Sequence, residues 1–298
     1  MSAPTLLVLA AGMGSRYGGL KQVDPVGPSG ETILDYAVFD AIREGFGRVV
    51  FVIRKEFEEA FRTQVAAKYA DRIQVDYVFQ SLDALPAGFA APAGREKPWG
   101  TGHAVWCARD AVTEPFAVIG ADDFFGRDAF HQLAAFLRLG PNAEDAAPNF
   151  AMIGYRLANT LSENGAVSRG VCATGPGGYL TRVVEHTGIR REEVGAEPGK
   201  KYTGEETVSM NCWAFTAAFF TELNGQFEAF LKKRGGELKS EFYLPEAVSE
   251  QVAQGLVTVE VRPTSASWFG VTYREDKPRV QAALAELVAR GEYPARLF

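Results

Sequence analysis

The amino-acid sequence predicts an α/β fold with a Rossmann-like sheet, mixed but mainly parallel, that is flanked by helices and extended by further strands in its second half. In the first half, short apolar runs rich in β-branched residues alternate with segments of helical periodicity, which is typical of a parallel sheet covered on both faces. In the second half, strand-like runs follow one another with only turns between them. No repeat, low-complexity tract or linker divides the sequence, so we expect one domain over residues 1–298.

The elements of the first half can be assigned in order. Residues 5–10 form the first predicted strand. Apolar residues recur at helical spacing from Ile33 to Ile42, so residues 32–44 are predicted to be a helix with one buried stripe. The remaining predictions are a strand at 48–53, a helix at 56–69, a strand at 73–79, a loop at 82–98, a helix at 101–110 and a strand at 116–120.

The second half has a different pattern. Strands are predicted at 150–156, 165–173, 179–186 and 208–215, then helices at 217–233 and 245–254, a strand at 256–261 and a terminal helix at 277–290. Residues 190–206 carry many charges and three glycines, which favours a mobile loop near the functional site.

The composition is that of an ordinary globular protein. Hydrophobic residues make up 47% and charged residues 23% of the sequence. No apolar run approaches the roughly 18–20 residues that a bilayer span needs, and the first residues lack the basic region and cleavage pattern of a secretory signal. We therefore expect a cytoplasmic protein without membrane contacts.

Charge and cysteine usage exclude further classes of protein. A net charge of -6 disfavours binding along a nucleic-acid backbone, which requires a basic face, but a few local cations and a metal can still hold a small phosphorylated ligand. Cys107, Cys172 and Cys212 lie far apart without paired spacing, so we expect reduced packing residues and neither a disulfide nor a zinc site. The oligomeric state stays open, and a homo-oligomer is compatible with the sequence.

The strongest chemical signal follows the first strand, where residues 9–16 read LAAGMGSR and Lys21 comes five residues later. Glycines at 12 and 14 let backbone N–H groups approach phosphate oxygens without interference from a Cβ atom. Arg16 and Lys21 can neutralise a triphosphate or a departing pyrophosphate. The pattern lacks the third glycine of the dinucleotide fingerprint and the Gly-Lys-Ser/Thr of a P-loop.

Two further groups of polar residues lie at strand ends. Asp122 and Asp123 follow the strand at 116–120, where ligands of open α/β sheets bind, and a carboxylate there can hold Mg²⁺ or instead form a turn or a helix cap. Gln80 ends the third strand, and the Gly-Thr-Gly sequence at 100–102 opens a helix. Side-chain amides and closely approaching backbone suit the recognition of a nucleobase. His103 is expected to be a capped or partly exposed residue, and we do not assign it as a base.

The loop at 9–16, taken with Lys21, resembles the opening signature of the nucleotidyltransferase superfamily that includes the sugar-1-phosphate nucleotidyltransferases. Leu20 stands where that family usually has proline. The resemblance implies a glycosyltransferase-A-like nucleotidyltransferase fold, with a nucleotide-binding half at 1–140 and a β-rich sugar-binding extension and C-terminal helix at 141–298. It also implies Mg²⁺ as cofactor, and a nucleoside triphosphate and a sugar 1-phosphate as substrates.

The same resemblance assigns site residues. The catalytic residues are Arg16, Lys21 and Asp122, of which Asp122 binds the metal, with Asp123 in a supporting or capping role. The residues expected around the nucleotide are Ala10, Ala11, Gly12, Gly14, Ser15, Gln80, Thr101 and Gly102.

On the acceptor side, the resemblance implies that Gly170 lies near the sugar and that Glu185 binds sugar hydroxyls, and Asn211 is the polar residue of an otherwise apolar strand. His186 stands where the family commonly has a lysine. The candidates for the missing cation are Arg169, Lys201 and Lys239, each of which could equally be a solvated surface charge.

The second metal ligand is the least determined residue. The family places an Asp or Asn near the end of the catalytic region, often shortly after a tryptophan, and Thr272 is the nearest positional match after Trp268. Asp276 or water could complete the metal's ligands. Alternatively, Glu275 and Asp276 are the acids of the first turn of the last helix.

These residues predict an in-line displacement in which an oxygen of the acceptor phosphate attacks the α-phosphorus of the triphosphate and pyrophosphate leaves. Two alternatives stay open. One is a cytidylyltransferase that acts on an alcohol phosphate such as phosphocholine, and the other is a non-catalytic, nucleotide-binding regulatory paralogue.

Overall fold

The computed structural model describes residues 3–12, 24–139, 147–163, 165–270 and 274–298. Its strands are β1 (Thr5–Leu9), β2 (Arg48–Ile53), β3 (Gln74–Phe79), β4 (Phe116–Gly120), β5 (Asp123–Phe124), β6 (Asn149–Arg156), β7 (Val167–Thr174), β8 (Leu180–Ile189), β9 (Thr207–Phe215), β10 (Thr258–Pro263) and β11 (Phe269–Gly270). Its helices are α1 (Ile33–Arg43), α2 (Glu58–Gln64), α3 (Thr101–Trp106), α4 (Arg127–Leu139), α5 (Phe219–Arg234), α6 (Leu244–Ala253) and α7 (Lys277–Ala289).

One twisted sheet takes strands from both halves of the chain, in the order β10-β6-β9-β4-β1-β2-β3. The first-half strands β4, β1, β2 and β3 are parallel to one another, whereas β9 is antiparallel to both β4 and β6. Strands β7 and β8 form an antiparallel ribbon that joins the sheet through β9. The predicted α/β fold with a mixed sheet and a β-rich extension is confirmed. The division into halves at 140 and 141 stays a prediction.

The central strands are buried because helices cover both faces of the sheet. In β1, Leu6 and Val8 face one apolar cluster and Leu7 faces the other, and all three are fully buried. Successive side chains of a strand point to opposite faces, so a continuous apolar run is what a doubly covered strand requires. This is why the short β-branched runs at 48–53 and 116–120 predicted their strands without error at either end.

Helix α1 begins where its sequence supplies a cap. Thr32 accepts a hydrogen bond from the amide of Asp35, and the Asp35 carboxylate accepts one from the amide of Thr32, which together form a capping box. The helix ends at Arg43, so the prediction over 32–44 includes the helix and its two caps.

Two helix predictions need correction, and a third helix was not predicted. The helix expected at 56–69 is broken into α2 and two 3-10 turns, Lys55–Phe57 and Ala66–Lys68, and the helix expected at 101–110 is α-helical only through Trp106. Helix α4 was missed altogether. Its buried residues recur at helical spacing, so the periodic signal was present: Ala129, Phe130, Leu133, Ala134, Phe136 and Leu137.

The structure also bears on the predictions for two loops, for the cysteines and for membrane contacts. Residues 82–98 contain neither helix nor strand, as predicted. Residues 190–206 contain a short 3-10 turn at Arg191–Glu193 and a bridge between Val194 and Tyr202, so the segment is partly structured. All three cysteines are free thiols, and Cys212 is buried. Among the described residues, no helix has the length and apolar character that a membrane crossing requires.

Candidate active site

The loop at residues 9–16, which we call the glycine loop, begins beside the turn after β4. Leu9 and Gly120 are register partners in neighbouring parallel strands, and the amide of Ala121 donates to the carbonyl of Leu9 over 3.1 Å. Ala10 and Ala11 are buried and Gly12 is exposed. The start of the glycine loop therefore adjoins the aspartates, as the prediction required. Gly14, Ser15, Arg16 and Lys21 lie outside the described residues.

The carboxylates of Asp122 and Asp123 both lie close to Gly120. A Cβ atom on Gly120 would lie 3.1 Å from Oδ2 of Asp123 and 3.6 Å from Oδ1 of Asp122, so the glycine leaves room for both groups. Asp123 was expected only to support or cap, and its position beside Asp122 is a feature that the sequence analysis undervalued. The signal was the second acid itself.

These two carboxylates fit a magnesium ion. Mg²⁺ in phosphoryl-transfer sites is held by one or two carboxylates together with substrate phosphates, and it takes oxygen ligands. Among the described residues, no three His, Cys, Asp or Glu side chains form a ready metal cage. Two carboxylates are a donor set that suits a metal shared with substrate phosphates. Binding of Mg²⁺ at Asp122 stays a prediction.

The second ligand predicted from sequence, Thr272, lies outside the described residues. Two residues earlier, Gly270 pairs with Asp123 across strands β5 and β11, and a Cβ atom on Gly270 would lie only 2.8 Å from Oδ1 of Asp123. Glu275 and Asp276 lie in the 3-10 turn that leads into α7, so they precede the first turn of that helix, in which they were alternatively expected. Asp276 is buried and Glu275 is exposed.

Gln80 and His103 form a buried pair. Nε2 of Gln80 donates to the carbonyl of Gly100 (3.0 Å) and to Nδ1 of His103 (3.1 Å), and Nε2 of His103 donates to the carbonyl of Ala84 (2.7 Å). His103 is fully buried, which lowers its pKa to about 4 and keeps the ring neutral. The expectation of a capped or partly exposed histidine is therefore wrong.

This pair determines how Gln80 is oriented. Both N–H groups of its amide are used, so its carbonyl oxygen is the atom left to accept a hydrogen bond from a ligand. The predicted contact between Gln80 and a nucleobase stays a prediction, but the amide is held in one orientation by Gly100 and His103, whose hydrogen bonds with it were not predicted from the sequence.

Thr101 and Gly102 pack against the segment that leads into α6. The hydroxyl of Thr101 accepts from the amide of Leu244 (3.0 Å), and the amide of Gly102 donates to the carbonyl of Phe242 (2.9 Å). A Cβ atom on Gly102 would lie 2.7 Å from the ring of Phe242, so glycine is needed here for packing alone. Base recognition by these two residues stays a prediction.

The acceptor side contains a cavity of about 750 Å³, which we call the acceptor cavity. Three residues singled out from the sequence line it, namely Thr101, Glu185 and Asn211. Gly170 is the register partner of Glu185, and a Cβ atom on it would lie 2.8 Å from the side chain of Val183. Glu185 and Asn211, which were both predicted to bind the acceptor, thus line one cavity, and Gly170 makes space beside Glu185. Acceptor binding by these residues stays a prediction.

Asn211 lies at an irregularity in β9. Its φ of 56° is in the left-handed region, and the pairing of β9 with β6 shifts register between Met152 and Gly154. Asparagine tolerates this conformation far better than a β-branched residue does. The bulge gives its side chain an orientation that a regular strand would not, and Oδ1 accepts from Nε1 of Trp213 at 3.5 Å.

The residues on the far wall of the acceptor cavity were not predicted from the sequence. Tyr243, Glu246 and Ser249 line it from α6 and the residue before that helix. They recur every third residue, which was a visible signal for one polar face of the predicted helix at 245–254. Desolvation at the cavity wall raises the pKa of both Glu185 and Glu246.

The candidates for the missing cation differ in their surroundings. Lys201 and Lys239 are exposed, whereas Arg169 is buried and is the register partner of His186. His186 itself makes a hydrogen bond between Nδ1 and the hydroxyl of Tyr202 (3.0 Å). Of the three, only Arg169 combines burial with proximity to Gly170 and Glu185.

Comparisons with solved structures agree with this fold. A UDP-glucose pyrophosphorylase complexed with UDP-glucose is 16% identical, with a TM-score of 0.58 over 96% of this chain and 99% of that chain. An inositol-1-phosphate CTP transferase from T. maritima is 14% identical, with a TM-score of 0.62 over 96% of each chain. A search of curated proteins gave no match.

The family model of the nucleotidyl transferases matches residues 6–175, which is more than half of the chain. The matched region includes the glycine loop, the Gln80–His103 pair and the two aspartates above Gly120. The chain therefore belongs to the nucleotidyl transferase family and is a nucleotidyltransferase.

Proposed function

We propose that this protein transfers a nucleoside monophosphate from a nucleoside triphosphate to a sugar 1-phosphate in a magnesium-dependent reaction, releasing pyrophosphate and forming a nucleoside diphosphate sugar. The observation that supports the proposal is the position of the Asp122 and Asp123 carboxylates, both close to Gly120 and beside the start of the glycine loop. The acceptor cavity, lined by Glu185 and Asn211, supplies the second half of the argument.

The nucleotide would lie along the carboxyl ends of β1 and β4. Gly12 and its neighbours offer backbone N–H groups to phosphate oxygens, and Arg16 and Lys21 are proposed to neutralise the β- and γ-phosphates. Asp122 and Asp123 would hold Mg²⁺, which when bound offsets the negative charge of the phosphate oxygens. The carbonyl oxygen of Gln80 is available to a donor on the base.

The acceptor would occupy the acceptor cavity with its hydroxyls toward Glu185 and Asn211. A carboxylate accepts hydrogen bonds and an amide both donates and accepts them, which suits a polyhydroxylated ring. No protein base is required, because a phosphate oxygen is already ionised at neutral pH. Catalysis then rests on positioning the attacking oxygen and on stabilising charge on the leaving group.

A second acceptor class is supported by one feature. Tyr243 and Glu246 share the cavity wall with Glu185, and an aromatic ring flanked by carboxylates also attracts a quaternary ammonium. A cytidylyltransferase acting on an alcohol phosphate such as phosphocholine is therefore the alternative. The cytoplasmic location and the oligomeric state considered from the sequence stay predictions.

The test is a matrix of nucleoside triphosphates against acceptors with pyrophosphate release as the readout. The acceptors are several sugar 1-phosphates, inositol 1-phosphate and phosphocholine, each with Mg²⁺ and with chelator, and the control is the Asp122→Asn variant. We expect turnover with at least one sugar 1-phosphate that needs Mg²⁺. Turnover only with phosphocholine would favour the alternative, and nucleotide binding without turnover for any pair would indicate a regulatory paralogue.

A further inference from the structure

A second, smaller cavity of about 130 Å³ lies between the start of β7 and helix α7. Its walls include Arg169, Trp268 and Arg279, together with Gly270 and the single acid Asp276. We call the first three residues the arginine pocket. At about 30 Å³ for each water molecule, the space holds a few waters or one phosphate group, but no nucleoside.

Arg169 is buried without an ion pair among the described residues, only 9% of its surface being exposed. Its guanidinium donates three hydrogen bonds, all to uncharged acceptors: the hydroxyl of Thr160 (3.1 Å), the carbonyl of Thr160 and the carbonyl of Ser168 (2.7 Å). A guanidinium carries five N–H groups, so two stay available. Burial lowers the pKa of Arg169 to about 10, and the group is therefore still charged at neutral pH.

Two further donors of the arginine pocket are buried without an acceptor among the described residues. They are Nε1 of Trp268 and Nε of Arg279. The Trp268 ring also lies under the Arg169 guanidinium, 4.8 Å from ring centroid to Cζ. Buried N–H groups without partners are rare in folded proteins, because each one loses its hydrogen bond to water. Arg169 is therefore the donor that an anionic ligand in this small cavity would meet first, and Trp268 and Arg279 would reach its oxygens only after a shift of their side chains.

The location of the pocket identifies that ligand. Gly270 lines the pocket and also faces the proposed magnesium site, since a Cβ atom on it would lie 2.8 Å from Oδ1 of Asp123 and 3.2 Å from the carbonyl of Asp122. On the other side, Arg169 neighbours Gly170, the partner of Glu185. Arg169 also interacts electrostatically with both Asp123 and Glu185, so the pocket is close to the carboxylates and to a residue that lines the acceptor cavity.

The pairing of β7 with β8 explains how this chain manages with a histidine at 186. Arg169 and His186 are directly opposed in the antiparallel ribbon, and opposed residues lie on the same face at short range. A cation at 169 can therefore serve much the same space as a cation at 186.

We propose that the arginine pocket binds the phosphate group of the acceptor, with Arg169 as its main cation and Arg279 and Trp268 as further donors. This proposal rests on the proposed function, which it deepens by assigning the acceptor phosphate to residues of this chain. Asp276 lines the pocket as well. The lining therefore carries two positively charged guanidinium groups and one carboxylate, and its net charge is positive.

The first test measures binding without turnover. Inorganic phosphate is titrated calorimetrically, at constant ionic strength, into the wild type and the Arg169→Gln, Arg279→Gln and Trp268→Phe variants. The control is Arg290→Gln, whose arginine lies at the end of α7 and pairs with Glu286 and Glu292. We expect Kd to rise about tenfold or more for either arginine variant and severalfold for Trp268→Phe, with no change in the control.

Arg169→Gln removes three hydrogen bonds to the protein and could unfold it, so the other two variants keep the test decisive. Wild-type Kd values in all folded pocket variants, or no phosphate binding by the wild type, would overturn the proposal. Because no turnover is involved, this result is independent of whether any acceptor in the matrix reacts.

The second test uses steady-state kinetics on the reacting pair. In Arg279→Gln we expect the KM for the acceptor to rise about tenfold while the KM for the triphosphate stays unchanged. The double variant Arg169→Gln, His186→Lys should regain much of the acceptor affinity lost in Arg169→Gln, since the cation returns from the opposed strand. An increase confined to the KM of the triphosphate would assign the pocket to the nucleotide and refute the proposal.

Discussion

Asp122 and Asp123 both lie close to Gly120, but only the metal-binding role of Asp122 could be predicted from the sequence. Each has an oxygen within 4 Å of the position that a Cβ atom on Gly120 would occupy. Resemblance to the family identified Asp122 as the metal ligand, whereas the contribution of Asp123 depends on the turn between β4 and β5, which no periodic pattern predicts.

Removing either carboxylate should weaken metal binding. We expect Asp122→Asn to lower turnover on the order of a hundredfold or more, and Asp123→Asn to raise the Mg²⁺ concentration needed for half-maximal rate. Both effects should also appear as weaker Mn²⁺ binding, measured by electron paramagnetic resonance in the presence of triphosphate. Asp110→Asn, at an exposed site, is the control. Unchanged Mn²⁺ affinity in Asp123→Asn would limit that residue to a structural role.

Replacing Gly270 even by alanine is predicted to displace the Asp123 carboxylate. A methyl group there would lie within 3.0 Å of the Asp123 carboxylate, so the carboxylate has to move. We expect Gly270→Ala to raise the Mg²⁺ requirement severalfold while Gly236→Ala, at a site with open space, leaves it unchanged. A Mg²⁺ titration of initial rates decides, and equal curves for the two variants would contradict the expected movement.

His103 gives a prediction about pH. Burial lowers its pKa from the ordinary 6.5 to about 4, so between these values the unfolded chain binds a proton that the folded protein does not. The histidine therefore favours folding above about pH 6.5, and this contribution, on the order of 3 kcal/mol, is lost as the pH falls toward 4.

The measurement is the free energy of unfolding in urea, compared between wild type and His103→Gln from pH 4.5 to 7. Asp40 acts in the opposite direction, because burial raises its pKa to about 7 and the folded protein keeps that proton. Subtracting the variant cancels the Asp40 contribution. Parallel pH profiles for the two proteins would show that His103 does not titrate as expected.

Whole strands and helices were easier to predict than the features that shape the site. Strands β2 and β4 follow from β-branched runs buried on both faces, and α1 follows from its cap and its apolar stripe. Helix α4 was overlooked although its period was present. The bulge in β9 had no such signal, because the sequence around Asn211 reads as an ordinary strand.

The bulge yields a prediction with a matched pair of variants. Asn211→Gly keeps a residue that tolerates a positive φ but removes the side chain from the acceptor cavity. We expect it to retain stability and to raise the KM for the acceptor. Asn211→Val should instead lose about 1–2 kcal/mol or more of stability, because a β-branched residue is strained there. Thermal unfolding and acceptor kinetics separate the two effects, and equal stability of both variants would count against strain at this position.

The two halves of the chain are joined through one sheet. Strand β9 comes from the second half and lies between β4 and β6, so it covers an edge that the first half would otherwise expose. The sequence predicted strands in both halves, but it could not predict this order, because strand order depends on contacts between distant parts of the chain. For the same reason, the sequence could not predict that the three side chains of the arginine pocket lie together, because Arg169 and Arg279 are more than a hundred residues apart in the chain.

The shared sheet predicts how the protein responds to cutting. A chain ended within 140–146 leaves β4 with an unpaired apolar edge, which favours aggregation. We expect that fragment to be insoluble alone and to become soluble when it is coexpressed with the complementary fragment. The intact chain should unfold in one cooperative transition in urea. A soluble first fragment with a native circular dichroism spectrum would refute this expectation.

The place of β9 also has a consequence for substrate traffic. Its backbone hydrogen bonds to β4 and β6 oppose any hinge bending between the nucleotide side and the acceptor side. The sheet is then expected to stay rigid while two substrates enter and two products leave. Any movement that opens the site would have to come from the segments beyond the strand ends. The rate of product release should therefore respond to substitutions in those segments far more than to changes in the core of the sheet.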